Sequence, residues 1–423
     1  MNRTAITSAA ILVALLTVGC GNMTPSRNSA PLAAAQTRFP AGNFTAQGVS
    51  KRQIVVKLKG QRLPQSLLRQ GPGAPRITSK IQSLRALVLD NAPGADSTKL
   101  LASLRADAAV AYAHPVQLAQ MEKTVDDPRV AEQYSLKIAQ VDQAWDLQMG
   151  GAGVVVAVID SGIDMGHPDL KGNIVPESWN VLDKNNDPRD DHGHGTHCAG
   201  IAAAIANNGE GVAGVAPKAG LMAVKVLDAR GRGSDATIAE GVVHATDKGA
   251  KVITMSLGLY KRSPVLEEAL QYALDRDVVL VASAGNNNAL NDPTSAPHLP
   301  STHPGVIEVA ATDDQDKKAR FSNFGKTVSV AAPGVNILST LPTYKVGREV
   351  GYGKMSGTSM ASPFVAGLAA LVRSEFPAMK QAEVKAHIEK MADDLGAEGF
   401  DQYFGHGRIN ALKSVSPLRA NRR

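Results

Sequence analysis

The densest chemistry in the chain is the run Asp190-Asp191-His192-Gly193-His194-Gly195-Thr196-His197-Cys198-Ala199-Gly200, where three histidines, two carboxylates and a thiol fall within eleven residues. Three chemistries are open to it. Histidine, carboxylate and cysteine are all zinc ligands, so the run could be a metal nest. A thiol beside imidazoles could serve redox chemistry. Alternatively, one histidine is a general base and the others are its neighbours. Spacing inside the run does not choose among these, so the partners elsewhere in the chain must.

Those partners need elements to carry them. Residues 153–159, Gly-Val-Val-Val-Ala-Val-Ile, form a near-continuous apolar run, as expected of a strand in a parallel sheet covered on both faces. Similar runs occupy 221–226, 252–255, 278–282, 306–310 and 328–331, with helical patterns at 234–248 and 264–276. The alternation predicts a doubly wound α/β domain with a mostly parallel sheet over residues 122–423. In such sheets chemistry gathers beyond the carboxyl ends of the strands.

Three segments then stand out. Asp160 follows the 153–159 strand directly, and Ser283-Ala284-Gly285-Asn286-Asn287 ends the 278–282 strand. Ser356-Gly357-Thr358-Ser359-Met360-Ala361-Ser362-Pro363 leads into an apolar helix over 364–376. Ser359 falls at that helix's first turn, where free N–H groups and the dipole favour developing negative charge. Singly, each is ordinary: a turn aspartate, an asparagine loop, a serine cap.

Taken together and in this order, VIDSGID (158–164), HGHGTHCAG (192–200), SAGNN (283–287) and GTSMASP (357–363) resemble the subtilisin-type serine proteases, the subtilases, and among them the thermitase-like members. The likeness runs from about Asp127 to the end of the chain. An α/β-hydrolase would instead need Gly-x-Ser-x-Gly with the serine first in the chain, and Ala361 stands where the second glycine would be. The resemblance implies that Ser359 is the nucleophile, His194 its base, and Asp160 the group that orients His194. It implies Asn286 as the side-chain oxyanion donor, joined by the Ser359 backbone N–H.

With His194 as base, a catalytic metal on it is not expected, because a ligated imidazole could not take a proton. His197 becomes a structural neighbour, Cys198 a small buried residue, and His192 a flank with no role. Ser256-Leu257-Gly258 and Gly231-Arg232-Gly233-Ser234 match the two edges between which the family holds an extended peptide as an added strand. Asn287 is neutral at the position matching the primary-pocket floor, which implies a broad or apolar preference. Structural calcium is implied at Asp127, Asp169 and Asn208, with carbonyls around Ala206, Glu210 and Val212, since hard oxygen ligands suit it. Asp183 and Asp187 resemble a second site, although a solvated acidic loop carrying Lys184 is an equal reading.

The front of the chain is different. Up to residue 121 there are 14 Lys and Arg against 3 Asp and Glu, and after it 31 against 36, so the overall +6 divides into +11 and −5. Opposite charges predict attraction between the two parts. The basic residues are scattered rather than clustered with aromatics, which argues against nucleic acid as a partner. Residues 1–19 read as an export signal, with Arg3 before an apolar stretch too short to span a bilayer. Thr17-Val18-Gly19-Cys20 resembles a bacterial lipobox, implying lipidation of Cys20 as the only membrane attachment of an exported precursor. With Cys20 and Cys198 as the two cysteines, no disulfide framework is available.

Residues 20–50 suit a flexible tether, and 51–121 a small α+β module with strands near 53–58 and 85–89, a helix over 97–105 and a closing run at 110–115. Within the resemblance this module is a propeptide that blocks the cleft, with cleavage near 118–123 and a monomeric product. Two functions of different class follow: an exported endopeptidase made as a zymogen, or an anchored peptide-binding protein without turnover. The presence of all four catalytic positions favours the first.

Overall fold

The structure, a computed structural model, describes residues 49–68, 74–117, 125–346 and 349–416. The export signal, Cys20, most of the tether and the expected processing region lie outside these. The chain divides into two compact units between Glu122 and Lys123.

In the first unit, strands β1 (Val49–Leu58), β2 (Arg76–Ile81), β3 (Ala86–Asp90) and β4 (Val110–Gln117) form an antiparallel sheet in the order β2-β3-β1-β4. Helix α1 (Ser97–Ala106) covers it through Leu104, which packs with Ile54, Val56, Leu89 and Ala113. Its cap is Asp96, whose carboxylate accepts from the N–H groups of Thr98 and Lys99 at 2.9 and 3.2 Å. Ser97 Oγ donates instead to the Lys51 carbonyl at 2.7 Å. Strand β2 had no apolar alternation to announce it, because all six of its residues are exposed.

The second unit is built on seven parallel strands: β5 (Val155–Asp160), β6 (Trp179–Asn180), β7 (Gly220–Lys225), β8 (Val252–Met255), β9 (Val279–Ser283), β10 (Ile307–Thr312) and β11 (Val328–Pro333). Their order is β11-β10-β9-β8-β5-β7-β6. Alternate residues serve opposite faces. Val156, Val158, Val252 and Val281 point to one core, shared with helices α2 (His194–Ala203) and α5 (Thr358–Glu375). Ala157, Ile159, Ile253 and Leu280 point to the other, against α3 (Asp235–Asp247) and α4 (Pro264–Asp275). Each fully buried Val, Ile or Leu side chain contributes about 1.5–3 kcal/mol, so both faces stabilise the sheet. Among the described residues no helix is long and apolar enough to cross a membrane.

Helix α5 begins at Thr358 and runs through Pro363, six residues earlier than its apolar stretch suggests. Proline at this sixth position removes the N–H that would bond the Ser359 carbonyl, and Ser256 Oγ donates to that carbonyl instead. Strands β5, β8 and β9 are neighbours, so their carboxyl ends bring Asp160, Ser256 and the 284–287 loop to one place.

Candidate active site

Asp160 is the last residue of β5 and is fully buried. Its carboxylate accepts the His194 Nδ1–H, with Oδ1 and Oδ2 at 2.8 and 2.9 Å, and the Ser161 N–H at 2.7 Å. His194 opens α2 after Gly193, whose φ of 100° favours glycine. Gly195 must also lack a side chain, since a Cβ there would run into the Gly162 carbonyl. A helix start can therefore press against the strand end, and the imidazole reaches the carboxylate.

Burial alone would lower the His194 pKa, yet the Asp160 charge and hydrogen bond outweigh it and hold the pKa well above the usual value. With Nδ1 taken by Asp160, Nε2 is the ring nitrogen left to accept a proton. An imidazole so held is a competent proton acceptor once neutral.

Ser359 is the second residue of α5, at the N-terminal end where N–H groups are unpaired. Its hydroxyl donates to the Ser256 carbonyl at 3.3 Å, and no Ser359–His194 hydrogen bond is formed. Hydrogen bonds between a nucleophile and its base commonly form or tighten only with substrate bound. Asn286 is exposed, and its Oδ1 accepts from both the N–H and the hydroxyl of Thr358, at 2.8 and 2.9 Å. With the oxygen so engaged, the Nδ2–H₂ group is the part left to donate.

The dense run resolves into distinct parts. Asp160, His194 and Cys198 have ligand atoms within 4.8 Å of one another, the only such group of three among the described residues. Burial raises the Cys198 thiol pKa, which disfavours the thiolate a metal would need. Its Sγ instead reaches the Ser359 carbonyl at 3.4 Å. His197 is buried with Nε2 on the Gly353 carbonyl at 3.1 Å, and burial lowers its pKa to about 3. His192 is exposed beside His194, with ring centroids 6.2 Å apart.

Sequence reasoning gave no part to Asp190, which is buried and accepts five hydrogen bonds: from Ser161 Oγ, the N–H groups of His192 and Gly193, and the N–H and hydroxyl of Thr196. It pins the His194 helix to the Asp160 strand end. Lys225, also buried, donates to the Ser161 and Leu227 carbonyls and to Asp191. The paired aspartates ahead of the histidines were the one signal that could have pointed there.

A cleft of about 510 Å³ opens beside His194, lined by Arg230–Gly233 and Ser256–Leu259 together with Leu227 and Ile238. Both expected substrate edges thus face it, except that Ser234 turns away as the cap of α3.

The residues expected at calcium sites separate into two cases. The buried Asp127 and Asp169 converge on one loop: Asp127 accepts from the N–H groups of Asn207 and Asn208, and Asp169 from Asn208 Nδ2 and the Val212 N–H. Asn208 Oδ1 accepts the Glu210 N–H, and Ala206 adjoins the loop. Neither carboxylate has a Lys or Arg partner among the described ion pairs, and burial pushes the Asp127 carboxyl pKa up. Two buried, uncompensated carboxylates fit a hard cation. Asp183 and Asp187 are exposed instead, on a loop braced by Asn180, while Lys184 turns out to Glu240.

A parallel sheet carrying this Asp–His pair and a helix-borne serine is the architecture of a subtilisin-like serine peptidase. The Subtilase family matches residues 151–407, and the chain belongs to that family. Thermitase of Thermoactinomyces vulgaris is 43% identical over 293 residues, 69% of this chain and 99% of that protein. The thermophilic serine proteinase of Bacillus sp. (strain AK1) is 38% identical over 367 residues, 86% of each. A protease structure from Pseudoalteromonas arctica PAMC 21717 matches with a TM-score of 0.63 and 33% identity, covering 69% of this chain and 99% of its own. Fervidolysin from Fervidobacterium pennivorans, a keratinolytic enzyme related to subtilisin, matches with a TM-score of 0.63 at 27% identity, covering 89% of this chain and 63% of its own. The chain is therefore a thermitase-like serine peptidase acting on protein or peptide substrates.

Proposed function

We propose that this peptidase is an exported endopeptidase, made as a zymogen that processes itself. Ser359 Oγ attacks the scissile carbonyl while His194 Nε2 takes its proton. The oxyanion is met by Asn286 Nδ2 and the Ser359 N–H, and His194 then returns the proton to the leaving amine. Water repeats the cycle on the acyl-enzyme. Asp160 keeps the proton on His194 Nδ1 and stabilises the imidazolium throughout. The observation that carries this reading is the fully buried Asp160 carboxylate on His194 Nδ1 at 2.8 Å, beside a serine at a helix N-terminus.

Around this chemistry, the substrate lies extended between Gly231-Arg232-Gly233 and Ser256-Leu257-Gly258. A structural calcium held by Asp127, Asp169 and Asn208 would neutralise the buried carboxylates and tie the 206–212 loop down. Residues 51–121 act as a propeptide cut near 118–123, residues 1–19 direct export, and Cys20 carries the lipid of the precursor.

The test is the full chain beside Ser359→Ala, followed by intact mass, casein hydrolysis and labelling with a fluorophosphonate. Wild-type protein should shorten, hydrolyse casein and take up one label. Ser359→Ala should do none of these, and a variant that still matured alone at the normal rate would refute self-processing.

A further inference from the structure

Glu308 is the only ionisable residue of β10, and it is fully buried. A carboxyl taken out of water is costly unless it is hydrogen-bonded. Its Oε1 accepts from Asn291 Nδ2 at 2.6 Å and from Ser301 Oγ at 3.1 Å. Burial pushes the Glu308 pKa up, and Oε1 can accept in either charge state.

The bond to Asn291 begins a chain that ends at the segment carrying Asn286. Asn291, itself buried, spends its other Nδ2 hydrogen on the Ala284 carbonyl at 2.7 Å. Its Oδ1 accepts from Asn323 Nδ2 at 3.1 Å. Asn323, fully buried, turns its own Oδ1 to the N–H groups of Asn287 and Ala289, at 2.9 and 3.0 Å. Its backbone N–H donates to the Gly285 carbonyl at 2.9 Å. The segment is therefore gripped on both sides of Asn286. The fit is close, since a Cβ on Gly285 would come to 2.6 Å from Asn323 Nδ2.

An asparagine amide turned end for end keeps its shape, so its partners set its orientation. A turned Asn291 would aim its oxygen at Glu308 Oε1 and the Ala284 carbonyl, both acceptors, and its amino group at that of Asn323. Asn323 would then have to turn as well, setting its amino group against the Asn287 and Ala289 N–H groups. Without Glu308, only the Ala284 carbonyl would oppose this. The acceptor in the sheet is thus relayed through two amides and reappears as an acceptor for the loop.

We infer that Glu308 is a positioning residue for the oxyanion donor: through Asn291 and Asn323 it fixes the segment that carries Asn286, and so supports kcat from a fully buried place. Thr358 holds the Asn286 side chain directly, whereas the chain from Glu308 holds the backbone on which that side chain stands.

This inference rests on the proposed role of Asn286, and the experiment separates the two. Kinetics on one peptide p-nitroanilide, with active sites titrated, compare wild type, Glu308→Ala, Glu308→Gln, Asn291→Ala and Asn286→Ala. Glu308→Ala and Asn291→Ala are also each combined with Asn286→Ala. Glu308→Ala should lower kcat about tenfold with KM little changed, a fraction of the roughly 10²–10³-fold for losing the donor itself. Glu308→Gln keeps an acceptor oxygen and should stay within about twofold. With Asn286 already replaced, Glu308→Ala should cost little more, because nothing is left to position, whereas an independent structural loss would recur at full size. Should Glu308→Ala not fold, Asn291→Ala breaks the same chain one link on and must show the same kcat loss and the same dependence on Asn286. Glu308→Gln, of unchanged shape, must still keep kcat. A loss confined to KM, an equal factor lost in both backgrounds, or a tenfold loss in Glu308→Gln overturns the inference and leaves the role of Asn286 standing. An unchanged kcat in Asn286→Ala overturns both.

Discussion

Thr358 holds Asn286 by two bonds at once, giving both its backbone N–H and its hydroxyl to the same side-chain oxygen at 2.8 and 2.9 Å. The hydroxyl oxygen also accepts the Gly285 N–H at 3.1 Å. The donor end of the amide is thereby aimed before any substrate arrives, which is what a preorganised oxyanion site requires. Thr358 sits immediately before the proposed nucleophile, so one turn of backbone positions both groups.

Removing that hydroxyl should cost turnover more than binding. Thr358→Val keeps the shape and the backbone bond but loses the second hold on Asn286. Its kcat is expected to fall about tenfold with KM little changed, against roughly 10²–10³-fold for Asn286→Ala, the range for losing an oxyanion donor. Steady-state kinetics on one peptide substrate decides it. An effect of Thr358→Val confined to KM would mean that the hydroxyl does not serve the transition state.

The histidines make opposite predictions on either side of pH 6.5. Because Asp160 holds the His194 pKa well above that ordinary value, the acid limb of kcat/KM should lie displaced to the alkaline side of it. Asp160→Asn should bring the limb back down and lower kcat by about 10⁴-fold. For stability, a raised folded-state pKa contributes fully below 6.5 and is lost as pH rises through the folded value. The depressed pKa values of His298 and His197, about 4 and about 3, contribute above 6.5 and are lost as pH falls toward those values. The histidine part of the stability curve should therefore peak near pH 6.5. Thermal unfolding of the inactive Ser359→Ala protein across pH measures this, and a monotonic histidine contribution would contradict it.

Calcium should raise the unfolding temperature, since a ligand that binds only the folded state stabilises it by mass action. Asp169→Ala should remove most of that gain and leave kcat on a short peptide largely intact. A melting temperature unchanged by thorough chelation would rule out calcium at Asp127 and Asp169.

Residues 51–121 hold 11 Lys and Arg against 3 Asp and Glu, +8, facing −5 on residues 122–423, which predicts that a separate 51–121 peptide should inhibit the proposed mature enzyme with a salt-dependent onset. Salt screens exposed charges beyond about 10 Å at 0.1 M, and steering acts mainly on the association rate. Onset of inhibition should slow as salt rises while dissociation changes less. An onset rate insensitive to salt would make the asymmetry incidental.

What the sequence determined by itself was whatever short-range chemistry dictates. The buried apolar runs announced the parallel strands, and Asp160 was placed at a strand end because the run stops there. His194 and Ser359 were legible only through the resemblance of their segments to the subtilases, and the structure shows why such segments carry small residues: Gly195 must approach the Gly162 carbonyl closely. The start of α5 was not, because Pro363 reads as a boundary. Its missing N–H leaves the Ser359 carbonyl without its helical partner, and Ser256 Oγ takes it at 2.9 Å, with Cys198 Sγ at 3.4 Å.

Only the tertiary structure decided what depends on groups far apart in the chain. Asp190 holding Ser161, Lys225 reaching Asp191, and Lys184 leaving its acidic loop for Glu240 are pairings across 29, 34 and 56 residues. The same holds for His298 beneath Gly258, where a Cβ would meet the imidazole and nothing in the sequence pairs the two. Such contacts carry no local periodicity or propensity. They exist because the sheet order brings β8, β9 and the loops behind them to one edge, and the packing there fills the space with a side chain that neither segment predicts.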